Sequence, residues 1–345
     1  MSQRLDEISL LRPITIGILI VMHAFTMYAG NWPLPDGIEP VRAYFWVQKI
    51  SFSCMLEMFV FISGYIFGYQ LFGQKREFRF GELVTGKLRR LILPSILFSL
   101  LYIVCFTDWF GQHQWKMIAY NTLAGQAHMW FLPMLFWCFI GGWVIVKCRI
   151  NDVLALVLLL VVSIFSHLPL PFQVNMACYY LFFFYLGMFL YKHREKMTEF
   201  AKKQPAGLYV SLAVYLLLVV LQTRTIESLS VITCEPLATR LLLFAQINTC
   251  KISYALTGVV LLYLLALRYV SHAMLSNFTL DLNKYCFAIY LFQQFILELI
   301  YYYTPLPLYV GTYWLPWIGI ATASIGSYAL ARLLLMTRSG KYLLG

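Results

Sequence analysis

The sequence predicts an all-α membrane protein, a bundle of about ten transmembrane helices with the N- and C-termini in the cytosol. Of the 345 residues, 61% are hydrophobic and only 12% are charged, whereas a soluble globular protein carries about 25% charged residues. A chain with so little charge has too few polar groups to cover itself in water, and lipid is the solvent that suits it. The apolar runs do not alternate with polar residues, which excludes a membrane barrel.

Ten apolar runs carry this prediction, and each is long enough to cross about 30 Å of hydrocarbon as a tilted helix. They cover residues 14–31, 48–72, 91–107, 129–147, 152–168, 174–191, 206–222, 252–270, 285–303 and 313–335. The segment 239–251 is either an interfacial segment or an extension of the eighth run. Because no linker or internal repeat interrupts the runs, we expect a single membrane domain over residues 1–345.

The positions of the basic residues predict the orientation of the chain. Its formal net charge is +11, and with a cytosolic N-terminus the inner segments hold 20 of the 26 lysines and arginines. This asymmetry follows the positive-inside rule, so we expect a multi-pass protein of the cytoplasmic (inner) membrane and no nucleic-acid partner. The six basic residues left on the outer side are Arg42, Lys49, Lys116, Arg224, Arg240 and Lys251.

The eight cysteines are dispersed and show no paired spacing. Most lie inside apolar runs, where a thiol behaves as a small buried hydrophobic group. We therefore expect neither a disulfide framework nor a metal site.

Ionisable residues deep in apolar runs are informative because lipid makes an unpaired charge costly. His23 lies nine residues into the first run, near the predicted midplane, and Glu57 is about as deep in the second run. Arg12 precedes His23 by eleven positions, which is three helical turns plus about 20°. Both side chains are therefore expected on one helix face, about 16 Å apart, with Arg12 at the cytosolic end.

This arrangement suits acid–base chemistry on a molecule with a bulky anionic head. Arg12, Lys87 and Arg90 can hold the anion at the cytosolic face while a neutral arm extends toward His23. A histidine can accept a proton from an attacking hydroxyl, and Glu57 can orient the imidazole as the carboxylate of a catalytic triad does. The alternative for His23 is a structural hydrogen bond between helices.

The other polar residues also have structural alternatives. Lys87, Arg89 and Arg90 can act as topology determinants alone. Glu298, in the outer half of the ninth run, can be a structural partner of Gln294 one turn earlier.

Ser63 is interpreted as part of a helix contact. Gly64 and Gly68 follow it with the spacing that lets two membrane helices approach closely. Ser63 lacks the glycine-flanked elbow of a hydrolase nucleophile, so we expect no catalytic role for it.

In these residues the chain resembles the acyltransferase 3 family of integral membrane O-acyltransferases. Five of that family's motifs occur in order between residues 4 and 294, and together they are specific. They are Arg12 with His23; Glu57 within LEMFVFISGY; Lys87 with Arg90 ahead of Pro94; the His-x-Trp-Phe-Leu box at His128 to Leu132; and IYLFQQ at Ile289 to Gln294.

Two positions depart from the pattern of this family. Gln293 stands where the late motif usually carries a histidine, so the role of that imidazole is in doubt here. Lys87 replaces the more usual arginine, which keeps the charge but loses bidentate phosphate recognition.

The resemblance implies transfer of an acyl group, usually acetyl, to a hydroxyl of a cell-surface polysaccharide or another envelope glycan, including a lipid-linked one. The donor substrate would be acetyl-coenzyme A or another acyl-coenzyme A, with no tightly bound cofactor and no metal. The residues implied are Arg12, Lys87, Arg89 and Arg90 for the donor, His23 and Glu57 for catalysis, and His128 and Glu298 for the acceptor.

Two other classes of function fit the same sequence. His23, Glu57 and Glu298 can form a proton relay or substrate pathway in a transporter or glycan exporter. That interpretation predicts an inverted repeat with paired broken helices, which the sequence lacks. The third class is a sensor that binds a ligand without turnover. This class stays open because Gln293 stands in place of the histidine of the late motif.

Overall fold

The structure, a computed structural model, describes residues 5–166, 170–203, 205–230, 237–270 and 276–344. Every regular element in these ranges is helical. Within them, nine helices are long and apolar enough to cross a membrane, and the apolar helix Asp152–Ile164 is shorter. These helices confirm the predicted polytopic bundle, although the last two residues of the predicted run 152–168 lie outside the described ranges.

The helices in the described ranges are numbered along the chain. They are α1 (Asp6–Ala24), α2 (Arg42–Phe52), α3 (Met55–Gly68), α4 (Phe80–Lys87), α5 (Leu93–Phe106), α6 (Trp115–Ala124), α7 (Phe131–Lys147), α8 (Asp152–Ile164), α9 (Val174–Lys192), α10 (Arg194–Lys203), α11 (Pro205–Ser230), α12 (Leu237–Tyr269), α13 (Asn277–Tyr302), α14 (Leu306–Val310), α15 (Leu315–Met336) and α16 (Arg338–Leu344).

Contacts between helix ends gather the segments predicted to face the cytosol at one end of the bundle, here called the basic end. The start of α1 meets α10 through an ion pair between Glu7 and Arg194, and α8 meets α9 through Asp152 and Lys192. Arg268, near the end of α12, donates to a backbone carbonyl in α10. Which end faces the cytosol stays a prediction from charge.

The segments predicted to lie outside meet at the opposite end, here called the outer end. The hydroxyl of Tyr28 donates to the carbonyl of Thr312, and the hydroxyl of Tyr302 donates to the carbonyl of Pro33. Ser163, near the end of α8, donates a hydrogen bond to the carbonyl of Tyr179, the sixth residue of α9. Thus α8, although shorter than the nine candidate spans of the described residues, runs from the basic end toward the outer end.

Two glycines allow α3 and α9 to pack closely and in the same direction. A Cβ added at Gly64 would overlap the carbonyl oxygen of Phe184, and one added at Gly68 would lie 3.0 Å from the Cα of Met188. Such close approach needs residues without side chains. The predicted small-residue helix contact is therefore confirmed.

Helix α1 begins eight residues earlier than the predicted run because the charge of Glu7 is neutralised inside the protein. This side chain is fully buried and bonds to Arg194 and to the hydroxyl of Tyr65. As a result His23 is the eighteenth of 19 residues, about 25 Å along the helix from Asp6. His23 therefore lies near the outer end of α1, and its depth in the bilayer stays a prediction.

Helix α12 resolves the alternatives for segment 239–251. The helix is continuous from Leu237 to Tyr269, so this segment extends the eighth run. Its polar residues consequently lie within the bundle wall rather than in an outer loop.

Candidate active site

A cavity of about 980 Å³ lies in the outer half of the bundle. It is enclosed by the end of α1, by α2, by the first turns of α3, α7 and α9, by the end of α11, and by the middle of α12 and α13. Both His23 and His128 line it, and we call it the histidine cavity.

The ring of His23 is held from α13 and covered from the loop after α1. Its Nδ1 lies 3.1 Å from Oε1 of Gln293, a fully buried side chain. The indole of Trp32 is parallel to the imidazole within 4°, with 6.1 Å between ring centroids. Since an amide oxygen only accepts hydrogen bonds, Nδ1 carries the proton and Nε2 has a free lone pair.

The ring of His128 is held by the same turn of α13. Its Nε2 lies 3.2 Å from the carbonyl oxygen of Leu291, and the hydroxyl of Tyr290 donates to the His128 carbonyl at 2.5 Å. A carbonyl oxygen accepts, so Nε2 carries the proton. The buried Nδ1 makes no hydrogen bond within the described residues, and the amide of Gln294 lies beside the ring.

One turn of α13 therefore orients both histidines. Tyr290, Leu291 and Gln293 belong to the IYLFQQ segment, and each touches one of the two imidazole-bearing residues. Sequence reasoning selected this segment by resemblance alone. Its physical role becomes visible only when α13 packs between α1 and the start of α7.

Glu57 lines the same cavity but has a different partner from the one predicted. It is the third residue of α3, and the hydroxyl of Tyr179 donates to its Oε1 at 3.3 Å. Lys251 of α12 supplies an attractive charge nearby. The predicted contact with His23 is not formed, because the nitrogen that Glu57 would orient is bonded to Gln293.

Glu298 lies behind the cavity wall. It accepts a hydrogen bond from the hydroxyl of Tyr102, which itself lines the histidine cavity. Glu298 is not among the lining residues, so it can act on a molecule in the cavity only through side chains that line it, such as Tyr102 and Gln294.

Arg12 belongs to a second, smaller cavity near the basic end. This cavity has a volume of about 250 Å³ and polar walls that include Ser9, Gln70, Gln74 and Asn283. We call it the arginine cavity. None of its lining residues lines the histidine cavity, so the structure does not bring Arg12 and His23 into one space.

A thin packed layer, here called the septum, separates the two cavities. Along α1 the lining residues pass from Arg12 to Leu19, and along α13 from Asn283 to Tyr290. Seven helical residues correspond to about 10 Å in each case. Buried Ile16 lies within this interval of α1.

The basic residues of the third span lie at a π-helical turn. This turn, Leu88–Ile92, separates α4 from α5 and carries Arg89 and Arg90, both exposed. The ammonium of Lys87 lies 3.3 Å from the centroid of the Phe139 ring, and Arg89 lies over the ring of Tyr342. None of these three basic residues lines either cavity.

Several cavity residues were not selected from the sequence. Lys251 is assigned to an outer segment by the predicted eighth run, which begins at residue 252, whereas α12 begins at Leu237. From the sequence, Trp32 is one of the tryptophans expected in an aromatic belt at the outer membrane boundary, and Tyr179 carries no signal in a run rich in aromatic residues. The row of polar side chains at Asn248 and Lys251 was the one available sign that this part of α12 faces a cavity.

The arrangement can bind a hydroxyl between two imidazoles and accept its proton. Nε2 of His23 has a free lone pair, whereas Nδ1 of His128 is buried beside the amide of Gln294. The ring centroids are 6.2 Å apart. A neutral imidazole is the usual general base for hydroxyl groups.

Comparison with known proteins identifies the family. The family model Acyl_transf_3, described as an acyltransferase domain, matches residues 5–336, nearly the whole chain. No curated protein and no solved structure matches the chain. The match confirms the resemblance drawn from the five motifs. This chain therefore belongs to the acyltransferase 3 family and is a multi-pass membrane acyltransferase.

Proposed function

We propose that this protein is an O-acyltransferase of the cytoplasmic membrane. It transfers an acyl group, acetyl in the simplest case, from acyl-coenzyme A to a hydroxyl of a cell-surface polysaccharide or other envelope glycan. The observation that carries the proposal is the pair of imidazoles, His23 and His128, each held by α13 through one nitrogen and facing one cavity.

The walls of the histidine cavity support a glycan acceptor. Rings such as Trp32, Trp130 and Tyr254 offer flat apolar faces, and the amides offer both hydrogen-bond donors and acceptors. A sugar has the same combination of apolar C–H faces and a rim of hydroxyls. The amide side chains in the wall are Asn31, Gln48, Gln126, Asn175, Asn248 and Gln294.

The acyl transfer has one proton acceptor and one leaving group. Nε2 of His23 takes the proton of the acceptor hydroxyl while the oxygen attacks the carbonyl carbon of the thioester. The carbon–sulfur bond breaks, and the departing thiolate receives the proton from the imidazolium. His128 binds the same hydroxyl and aims it, and the products are the ester and free coenzyme A.

The donor is proposed to bind at the basic end. Its phosphates meet Arg12 in the arginine cavity and the exposed Arg89 and Arg90 at the π-helical turn, since guanidinium groups bind phosphate in a bidentate manner. Lys87 adds positive charge beside them. The septum, about 10 Å thick, must open for the acyl arm of the donor to reach the histidine cavity. Glu57 and Lys251 line the acceptor side of the same cavity.

Replacing His23 by asparagine tests this proposal. The shorter amide can still donate to Gln293, but it has no counterpart of Nε2, so the base alone is removed. We expect the transfer of labelled acetyl from acetyl-coenzyme A to membrane glycan to fall about 10²- to 10⁴-fold. The matched control is His113→Asn, in the exposed outer segment before α6, which should keep full activity. Wild-type transfer by His23→Asn would reject the mechanism.

A transporter or glycan exporter is the second candidate, favoured by one observation. The two cavities approach each other from opposite ends along α1 and α13, as alternating access requires. Purified protein incubated with labelled acetyl-coenzyme A and an envelope glycan fraction separates the two functions. The acyltransferase moves label to the glycan, whereas a transporter leaves it on coenzyme A.

A further inference from the structure

We infer that Gln293 is the positioning residue that makes His23 a base, an inference that rests on the proposed function. Its amide oxygen faces Nδ1 of His23 at 3.1 Å, across 270 positions of sequence. The side chain has no exposed surface. Neighbouring Tyr290 and Gln294 line the histidine cavity, while Gln293 does not, so it meets the imidazole from behind.

The protonation of His23 follows from this contact. A neutral imidazole has one proton, and the nitrogen that bears it is set by the hydrogen bond of that nitrogen. With Oε1 as the acceptor, the proton stays on Nδ1 and the lone pair of Nε2 is available in the cavity. The same bond fixes the ring plane parallel to the indole of Trp32.

The glutamine differs from a carboxylate in this position because it is neutral. It orients the ring without adding a negative charge to a membrane-embedded cavity. The titratable and charged groups that share this cavity come from five other elements: His128 before α7, Glu57 of α3, Lys49 of α2, Lys251 of α12 and Glu227 of α11. The tyrosines of the wall, including Tyr102 and Tyr290, complete the set. Within the described residues, His128, Glu57, Lys49 and Lys251 make no hydrogen bond to Nδ1 of His23, whereas Gln293 does, so Gln293 selects the tautomer.

The amide nitrogen of Gln293 also supports a dedicated role for this side chain. Nε2 of Gln293 is buried and makes no hydrogen bond within the described residues. An unpaired buried amide group is costly. A methionine or leucine would fill this volume without that cost, so packing alone does not account for a glutamine.

Two isosteric substitutions test the inference. Gln293→Met keeps the volume and removes the acceptor, and we expect kcat to fall at least about tenfold with the KM values of donor and acceptor within about twofold. Gln293→Glu keeps the acceptor and adds a charge. We expect it to retain activity, with the acid limb of its pH–rate profile moved to higher pH because a carboxylate favours the imidazolium.

The controls separate positioning from folding. Gln246→Met, at an exposed glutamine of α12, should leave kcat and the pH profile unchanged. Thermal unfolding in detergent reports whether each variant is folded. If Gln293→Glu fails to fold, Gln293→Met alone tests the inference, through the fall in kcat compared with the change in the KM values.

Two outcomes would overturn the inference. One is wild-type kcat in Gln293→Met; the other is an equal loss in both variants with an unchanged pH profile. If the Gln293 variants give one of these two results and His23→Asn is inactive, the positioning role of Gln293 fails and the acyltransferase mechanism stands. If His23→Asn is active, the mechanism itself fails.

Discussion

The imidazole rings of His23 and His128 meet edge to face, with 6.2 Å between their centroids. They come from opposite parts of the bundle, the last turn of α1 and the turn before α7. Each ring is bonded through one nitrogen to α13. We propose that the pair binds one hydroxyl group, and the predictions below test that proposal and the fold that supports it.

The first prediction concerns the acceptor nitrogen of His128. In His128→Gln the amide nitrogen can still donate to the carbonyl of Leu291, but no atom replaces Nδ1. We expect kcat/KM for the acceptor to fall about 10- to 100-fold, the value of one buried hydrogen bond to the reacting group. Steady-state kinetics with varied acceptor measure this change. An unchanged kcat/KM would show that Nδ1 of His128 does not contact the acceptor.

The second prediction separates the donor end from the acceptor end. Arg12 lines the arginine cavity, so Arg12→Gln should raise the KM for acyl-coenzyme A about 10-fold or more by removing a charge-assisted phosphate contact, with the acceptor KM unchanged. Arg42→Gln, at the exposed start of α2 at the outer end, is the control. If Arg12→Gln raised only the KM for the acceptor, the arginine cavity would be the acceptor site, and the donor would be assigned to the histidine cavity.

The third prediction concerns the buried ion pair at the basic end. Glu7 forms an ion pair with Arg194, whose Nε lies 2.7 Å from Oε1, and accepts a hydrogen bond from the terminal nitrogen of Arg194 at 2.9 Å. Glu7→Gln removes the negative charge and should lower the free energy of unfolding by about 3 kcal/mol. This value is at the low end of the range for buried ion pairs because 26% of the Arg194 side chain is exposed. Thermal unfolding in detergent measures the loss. The exposed pair of Glu199 with Lys203 is the control, where Glu199→Gln should change little.

The fourth prediction concerns the contact between α3 and α9. A methyl group at Gly64 overlaps the backbone of Phe184, which cannot move aside as a flexible side chain can. Gly64→Ala should therefore destabilise the protein by at least about 1–3 kcal/mol. In α1, a Cβ at Gly17 meets no atom within 4 Å, so Gly17→Ala should be neutral or stabilising by up to about 1 kcal/mol. Equal stability of the two variants would contradict the close helix approach.

The fifth prediction concerns orientation in the membrane. Cys148 is an exposed free thiol just after α7, at the basic end, and His113 is exposed in the outer segment before α6. A membrane-impermeant maleimide applied to intact cells should label His113→Cys strongly in a variant whose native cysteines are serine. A variant keeping Cys148 alone should be labelled only after the membrane is opened. The reverse pattern would invert the topology drawn from charge.

The site was only partly predictable from the sequence. His23, Glu57 and His128 were each selected, because an ionisable group in an apolar run is unusual and because motifs are local patterns. Their partners were not, since a hydrogen bond between helices depends on how the helices rotate and cross. Glu57 was assigned to His23 and is instead bonded to Tyr179.

The sequence by itself determined the membrane class, the helical bundle, its basic end and the family, because composition, run length and motif order are properties of short stretches of chain. The tertiary structure alone decided that Gln293 bonds to His23, that Arg12 lies in a separate cavity, and that a septum divides the two. The physical reason is that each of these facts arises where helices distant in sequence approach, and the packing of their side chains carries no local signature.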